Sequence, residues 1–321
     1  MTQTQTLIQE TFLYLHPSFD FYLKPLTYFK IGGAAEVFLD LHVQKEIIDV
    51  VHFCQKGNIP ITILGGASNV VIDDRGLRGV VIQTSNDEYQ VMEKNAEMNA
   101  QRVRVGVGMK TGLFVRKVID EGLTGLEYFL GVPGKVGGAI YNNAHYLTKR
   151  IGEYVDRVEV LQPSGQLQWL SNSECAFGYD VTRFRTSKEV ILQVEFVLPF
   201  GTKELSMEMV KEATLYRAKT QPLGDASSGC YFQNTPNTVA LRERFPQFAD
   251  RTEFPTAFLI DQAGLKGEKC GGIEVSEKHA AFLVNTGNGT SVQVKELVKK
   301  IKMRVQEEFG VKLEEEVFWL G

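Results

Sequence analysis

The sequence predicts an α+β protein assembled from α/β-like units, and three observations carry that prediction. Residues 36–41 and 61–64 are short apolar runs flanking a helical stretch, in which Val43, Ile47, Ile48, Val51 and Cys54 recur at helical spacing. Val190, Leu192, Val194, Phe196 and Leu198 alternate strictly, as the buried face of a half-buried strand does. Near the C-terminal end, Val294, Leu297, Val298, Ile301 and Val305 mark one long helix over 291–309. The 321 residues leave room for two or three compact domains.

Each element has its own local reason. Gly57-Asn58 ends the first helix, and Pro60 forbids its continuation. The loop Gly65-Gly66-Ala67-Ser68-Asn69 follows, then a strand over 80–84, giving a βαβ-like start. Residues 85–101 are charged and poor in apolar side chains, and mark the first domain boundary. A strand is expected over 102–107, then a helix carrying Leu113, Phe114 and Val118 and closed by Gly122. Residues 155–161 and 167–170 form a hairpin around Pro163-Ser164-Gly165, and 204–219 are helical. A short helix over 255–263 has proline at its start and Gly264 after its end. After a strand over 280–285, Thr290 and Gln293 make a capping box for the long helix; Gly310 stops it, and 317–320 is the last strand.

Composition narrows the function classes. With 43% hydrophobic and 23% charged residues and a net charge of -4, the chain is neither disordered nor a nucleic-acid binder by charge. Its apolar stretches fall short of the ~18 residues of a membrane helix, so no membrane insertion is expected. The opening Met1-Thr-Gln-Thr-Gln-Thr lacks the basic and apolar regions of an export signal. Cys54, Cys175, Cys230 and Cys270 are scattered without a Cys-x-x-Cys pair, against both zinc and a disulfide framework. A cytoplasmic protein with reduced thiols and no metal site is the expectation.

Glycine is the unusual residue. Nine of the 30 fall between Gly106 and Gly138, where an even spread would put about three. In Gly131-Val-Pro133-Gly134-Lys-Val-Gly137-Gly138 the missing Cβ atoms let backbone amides approach a ligand and point together, which suits pyrophosphate. Tight turns between strands would explain the same run. Two nucleotide motifs are near misses: Gly106-Val-Gly108-Met-Lys-Thr-Gly112 has its last glycine one position late for a dinucleotide fingerprint, and Val136 stands where a P-loop needs Ser or Thr. The loop with Gly65, Gly66, Ser68 and Asn69 offers a second phosphate or ribose contact, or a simple turn. Cys230, after Ser227-Ser228-Gly229, is a nucleophile with His279 as base, a proton donor, or an inert thiol.

Read in order, the segments resemble the UDP-N-acetylenolpyruvoylglucosamine reductases, flavin enzymes of peptidoglycan precursor synthesis. The match runs through Phe29-Lys-Ile-Gly-Gly-Ala-Ala35, Leu64-Gly-Gly-Ala-Ser-Asn69, Gly122-Leu-Thr-Gly-Leu-Glu127 and Gly131 to Ala139 with Asn143-Ala144. It continues through Arg217 to Pro222, Ser228-Gly-Cys-Tyr-Phe-Gln-Asn234, Ala263 to Gly267, Gly271-Gly272, Val275-Ser-Glu-Lys-His279 and Asn285 to Asn288. It closes on Phe309 to Glu314 and Glu316-Val317. His279 in its Val-Ser-Glu-Lys-His context is similar to the shorter family variant.

The resemblance implies three domains: an FAD-binding fold of the vanillyl-alcohol-oxidase type in two parts, 1–85 with 310–321 and 86–213, and a substrate-binding domain over 214–309. It implies bound FAD, NADPH as hydride donor and a UDP-sugar as substrate; it says nothing of protein partners. Gly65, Gly66, Ser68, Asn69, Pro133, Gly134, Gly137, Gly138, Ala139 and Asn143 fall at cofactor positions. Cys230 holds the place of the proton donor and Glu316 that of the tail glutamate. Arg217, Lys219, Gln221, Asn234, Lys278 and His279 are the candidates for substrate or NADPH.

The sequence departs from the family pattern twice. Tyr179-Asp180-Val-Thr182-Arg183-Phe184 puts an acid where the family has an arginine at the reacting carboxylate, so Arg183, Arg185 or another cation must reach in, or the activity is altered. Arg183 is the expected substitute. The segment Asn143-Ala144-His145-Tyr146-Leu147-Thr148 replaces the usual Asn-Ala-Gly-Ala-Tyr-Gly. Three alternatives stay open on the residues: a flavin oxidase or dehydrogenase of the same superfamily, a non-catalytic flavin-binding module, and a cysteine hydrolase built on Cys230 and His279.

Overall fold

The computed structural model describes residues 1–95 and 99–321. They form two compact units: Met1–Phe21, Ala35–Ala67 and Arg78–Tyr216 make the first, and Tyr22–Ala34, Ser68–Leu77 and Arg217–Gly321 the second.

The first unit holds two sheets. In the four-stranded one the order is Ser18–Tyr22, Ala34–Leu41, Leu77–Thr84, Ile61–Leu64, with the last two parallel and Ile61 opposite Val80. The strand–helix–strand start is present, yet its two strands are not neighbours, because Leu77–Thr84 lies between them. The 13-residue helix Gln44–Lys56 is long enough to cross over that strand. It buries Ile47, Val50, Val51 and Cys54 against Val37, Leu39, Val80 and Ile82. Helix Gln3–Phe12 is not legible from periodicity, since its inward face is only Gln5, Ile8 and Phe12; a Thr2–Gln5 capping box starts it.

The five-stranded sheet is antiparallel, in the order Leu167–Ser171, Val155–Leu161, Val190–Pro199, Ala100–Gly106, Tyr89–Asn95. The expected hairpin and the alternating strand are both there. The charged stretch 85–101 carries the edge strand Tyr89–Asn95; residues 96–98 of it lie outside the described residues. An edge strand has one neighbour and an exposed side, so its sequence reads as polar. Helices Thr111–Asp120 and Val136–Tyr141 cover one face through Phe114, Val115, Val118 and Ile140, packed on Val103, Val105, Val194 and Phe196. Across the pleat, fully buried Glu195 receives Arg104 at 2.6 Å and Arg157 at 2.7 Å, and both guanidinium groups lie over the Trp169 ring.

The second unit is built on the antiparallel sheet Ala226–Cys230, Phe282–Asn285, Ile273–Val275, Lys269–Cys270. Helix Ser291–Phe309 has the expected Thr290–Gln293 capping box and ends at Gly310, φ 67°. It buries Val294, Leu297, Val298, Ile301 and Val305 in the core with Ile273, Val275 and Leu283. The short helix is Thr256–Gln262, with Pro255 at its N-cap. Strand Phe318–Leu320 runs parallel to Val70–Ile72, with Trp319 opposite Val71. Asn285 Nδ2 donates to the carbonyls of Phe29 and Lys30, and Ser291 Oγ to Asp74, which fastens both inserted segments to this unit. Among the described residues no helix is long and apolar enough to cross a membrane, and no three His, Cys, Asp or Glu side chains gather as metal ligands.

Candidate active site

In the first unit the chain leaves strand Ile61–Leu64 through Gly65-Gly66 and meets the turn that starts helix Val136–Tyr141. A Cβ on Gly66 would sit 2.4 Å from Gly134 Cα and 3.0 Å from the Lys135 nitrogen, so the two loops touch backbone to backbone. Gly134 has φ +107°, a conformation that glycine alone adopts readily. A Cβ on Gly65 would lie 3.4 Å from Gly138 N, an ordinary contact, whereas a Cβ on Gly138 would meet nothing within 4 Å. The Val136 and Gly137 amides donate to the carbonyls of Met109 and Val107, which pins the helix start. Pro133 is exposed and Ala139 buried beside this turn.

Lys135 is not a phosphate lysine. Its Nζ donates to Thr84 O at 2.7 Å and Ser85 Oγ at 2.8 Å, and burial pushes its pKa below the usual lysine range. The near-miss fingerprint also has a packing explanation, since Cβ atoms on Gly106 and Gly108 would strike the backbone at Asn86 and Ser85. The cradle is therefore made of glycine backbone with open space at Gly138. That fits an elongated anionic group such as a dinucleotide pyrophosphate.

The helix leads directly to the departures from the family pattern. Asn143, buried with φ 47°, donates from Nδ2 to Gly178 O at 2.7 Å and accepts the Gly152 amide at 2.9 Å. Thr182 Oγ1 donates to Tyr141 O at 2.7 Å, so segments 141–145 and 178–183 form one block. Within it, His145 Nδ1 lies 3.4 Å from Asp180 Oδ1, while Asp180 Oδ2 is buried without a hydrogen-bond partner among the described residues. Arg183 gives Nε and Nη2 to Glu189, at 3.0 and 2.8 Å.

In the second unit, Cys230 ends the edge strand of its sheet. Ser227 pairs with Val284 and Cys230 with Phe282, with a bulge between them in which Gly229 takes φ +86°. Bulges re-aim the side chains that follow them, and here that side chain is the half-buried Cys230 thiol. The next residues pair with the tail: Glu316 N donates to Tyr231 O at 2.9 Å, Gln233 N to Glu314 O at 3.0 Å, and Phe232 bridges Glu315. Asn69 Nδ2 donates to Glu316 O at 3.3 Å, and Phe318 N to Asn69 O at 3.1 Å. The fold thus gathers Cys230, Glu316, Asn69 and the adjacent Ser68.

His279 packs edge-on to Phe282, the partner of Cys230, with ring centroids 5.0 Å apart. Its buried Nδ1 has no partner among the described residues; burial, then Lys266, push the imidazole below its usual range. Lys278 Nζ donates to Ala218 O at 2.6 Å, which ties it to the end of helix Lys203–Thr220. Arg217 and Lys219 lie in that last turn, Arg217 buried and Lys219 exposed, and Gln221 N bonds back to Arg217 O. Asn234 accepts the Thr256 amide at the start of the short helix. Sequence reasoning missed Glu315, which Lys302, Trp319 and Tyr231 surround, and Ser228, whose buried Oγ lacks a partner among the described residues. Nothing in a polar Glu-Glu-Glu run distinguishes its middle member.

Known proteins match both halves of this arrangement. Residues 35–171 match the family model described as FAD binding domain, and residues 221–320 the one described as UDP-N-acetylenolpyruvoylglucosamine reductase, C-terminal domain. UDP-N-acetylenolpyruvoylglucosamine reductase 2 of Bacillus anthracis is 34% identical over 98% of each chain. The chain belongs to the UDP-N-acetylenolpyruvoylglucosamine reductase family. The reductase of Chlamydia felis is 33% identical over 92% of each chain. The crystal structure of the reductase from Thermus caldophilus aligns with a TM-score of 0.75 and 28% identity, covering 95% of this chain and 98% of that one. The reductase family's α+β architecture, an FAD-binding domain followed by its own C-terminal domain, is the one expected from sequence.

Proposed function

We propose that this chain, an FAD-dependent oxidoreductase, reduces UDP-N-acetylglucosamine enolpyruvate to UDP-N-acetylmuramate in the cytoplasm, with NADPH as hydride donor. One observation carries the reading: the 2.9 Å bond from Glu316 N to Tyr231 O, which seats a carboxylate-bearing stretch of the tail against the residue after Cys230. A thiol and a carboxylate on adjoining segments are the parts that a protonation step needs.

Gly65, Gly66, Gly134, Gly137, Gly138 and Ala139 would hold FAD by backbone, and Pro133, Asn143, Ser68 and Asn69 are further proposed cofactor contacts. When bound, FAD supplies the hydride that NADPH provides. Cys230 gives the proton: its S–H bond breaks as the C–H bond forms, and the thiolate regains a proton from water. A free thiol, with pKa ≈ 8.5, donates more readily than a serine hydroxyl. Glu316 holds a proton toward the enol that develops. Arg217, Lys219, Gln221, Asn234, Lys278 and His279 contact the nucleotide or NADPH. Arg183 is the proposed cation for the substrate carboxylate, with Nε and Nη2 already given to Glu189. Domain limits at 85, 213 and 309 belong to the same reading.

NADPH oxidation by the purified yellow protein, with and without the enolpyruvyl nucleotide, tests it. The nucleotide should accelerate oxidation at least ~10-fold. Rapid oxygen consumption indifferent to the nucleotide would instead establish the oxidase alternative.

A further inference from the structure

Glu315 and Glu316 are neighbours in the tail, but they are held in different ways. The Glu316 amide donates to the Tyr231 carbonyl, whereas Glu315 is held by its side chain. Its Oε2 accepts Trp319 Nε1 at 2.8 Å and the Tyr231 hydroxyl at 3.4 Å, and its Oε1 accepts Lys302 Nζ at 2.5 Å. All of these residues belong to the second unit.

Each partner ties Glu315 to a different element. Tyr231 follows Cys230 and is fully buried, and its amide donates to Ala281 O at 2.7 Å, which extends the pairing of Cys230 with Phe282. Burial, then the Glu315 carboxylate, push the phenol above its usual range, so it stays a donor. Lys302 lies on helix Ser291–Phe309 two turns after Lys295, whose ammonium is 4.8 Å from the Trp319 ring centroid. One face of the helix therefore holds the tail at both Trp319 and Glu315.

Magnitudes decide which tie matters. The Lys302 and Glu315 side chains are 36% and 22% exposed, and an ion pair so close to water contributes little. The Tyr231 hydroxyl is on a fully buried residue, where a donor without its acceptor is costly. The acceptor at Oε2, rather than the negative charge, is the part that counts. Glu315 also lines a surface cavity of about 350 Å³ with Lys302 and Trp319, so shortening it opens no hole in the core.

We propose that Glu315 is a positioning residue for the protonation step: its Oε2 fixes the tail to the residue after Cys230, and so fixes where Glu316 stands relative to the thiol. The inference rests on the function proposed above. Tyr231 carries the coupling, because its carbonyl holds Glu316 and its hydroxyl holds Glu315. With the second tie removed, the first still allows the tail to tilt, and a displacement of ~1 Å in a reacting arrangement costs on the order of 100-fold in rate.

Flavin bleaching by NADPH and re-oxidation by the enolpyruvyl nucleotide, followed separately in the holoenzyme in H2O and D2O, test this. Glu315→Ala should bleach at the wild-type rate and re-oxidise roughly 10- to 100-fold more slowly. Its re-oxidation should show a larger solvent isotope effect than that of the wild type, because proton delivery has become the slow step; a loss of folded protein would leave that effect unchanged. Glu315→Gln, whose amide oxygen can take the place of Oε2, should re-oxidise within ~3-fold of wild type, the size of an exposed ion pair. Wild-type re-oxidation in Glu315→Ala, an equal loss in both half-reactions, an unchanged isotope effect, or Glu315→Gln as slow as Glu315→Ala overturns the inference alone. Wild-type reduced flavin that the nucleotide does not re-oxidise overturns the function beneath it.

Discussion

Gly66 and Gly138 ask opposite things of a side chain. At Gly66 the nearest atoms are the backbone of Gly134 and Lys135, which cannot move without parting two loops. Gly66→Ala should therefore destabilise the fold by about 3 kcal/mol and lower Tm. Gly138 faces open space from the first turns of a helix, so Gly138→Ala should leave the apoprotein as stable, or up to about 1 kcal/mol more so. If the cradle holds the pyrophosphate, that added methyl should still weaken FAD binding at least ~10-fold, read from flavin absorbance on dilution. Unchanged FAD affinity in Gly138→Ala would move the cradle elsewhere. At this scale the sequence was legible where packing or backbone conformation needs a missing Cβ, as at Gly66 and Gly134. It was not legible at Lys135 or Arg183, because a lysine or arginine does not declare its partner. Thr84, Ser85 and Glu189 are distant or undistinguished in sequence, and only folding assigns them.

Strands and helices were legible in proportion to how one-sided their burial is. Val190–Pro199 alternates because one face is core; on its other face Ile191 and Glu195 are buried as well, and Glu195 puts a charge in mid-sheet. Burial works to raise the Glu195 carboxyl, but hydrogen bonds from Arg157 and Arg104 outweigh it and hold it below the usual range. A depressed carboxylate stabilises the fold above its unfolded value near ~4.3, and that contribution disappears as pH falls through the folded value. Glu195→Ala should thus cost about 3 kcal/mol in urea denaturation at neutral pH, with a gap to wild type that narrows toward pH ~3. The edge strand Tyr89–Asn95 and helix Gln3–Phe12 escaped sequence reading for the converse reason, since each buries few apolar positions. The bulge before Cys230 was equally hidden. Ser-Ser-Gly-Cys permits it, but the pairing with Val284 and Phe282 creates it.

At the scale of the whole chain, the tail matters more than its length implies. Four backbone bonds, from Gln233 to Glu314, Glu316 to Tyr231, Phe318 to Asn69 and Asp73 to Leu320, tie the last eight residues into the second unit. Val317 is buried there, and Glu315 joins Lys302 to Trp319. Removing residues 314–321 should make the segment 217–313 sensitive to limited proteolysis while Arg78–Tyr216 stays resistant. Equal resistance of both would show that the tail is dispensable to that unit. The tail's partners at 69–73 and 231–233 stand far apart in sequence, so no local pattern announces the assembly; the ordered family segments did.

The central claim is that Cys230 delivers the proton in a flavin reductase. Product formation by Cys230→Ala, followed beside bleaching of the flavin colour by NADPH, tests it most directly. Bleaching should proceed at the wild-type rate while conversion of the enolpyruvyl nucleotide falls by roughly 10³-fold or more, with partial recovery in Cys230→Ser. Normal conversion by Cys230→Ala would contradict the claim.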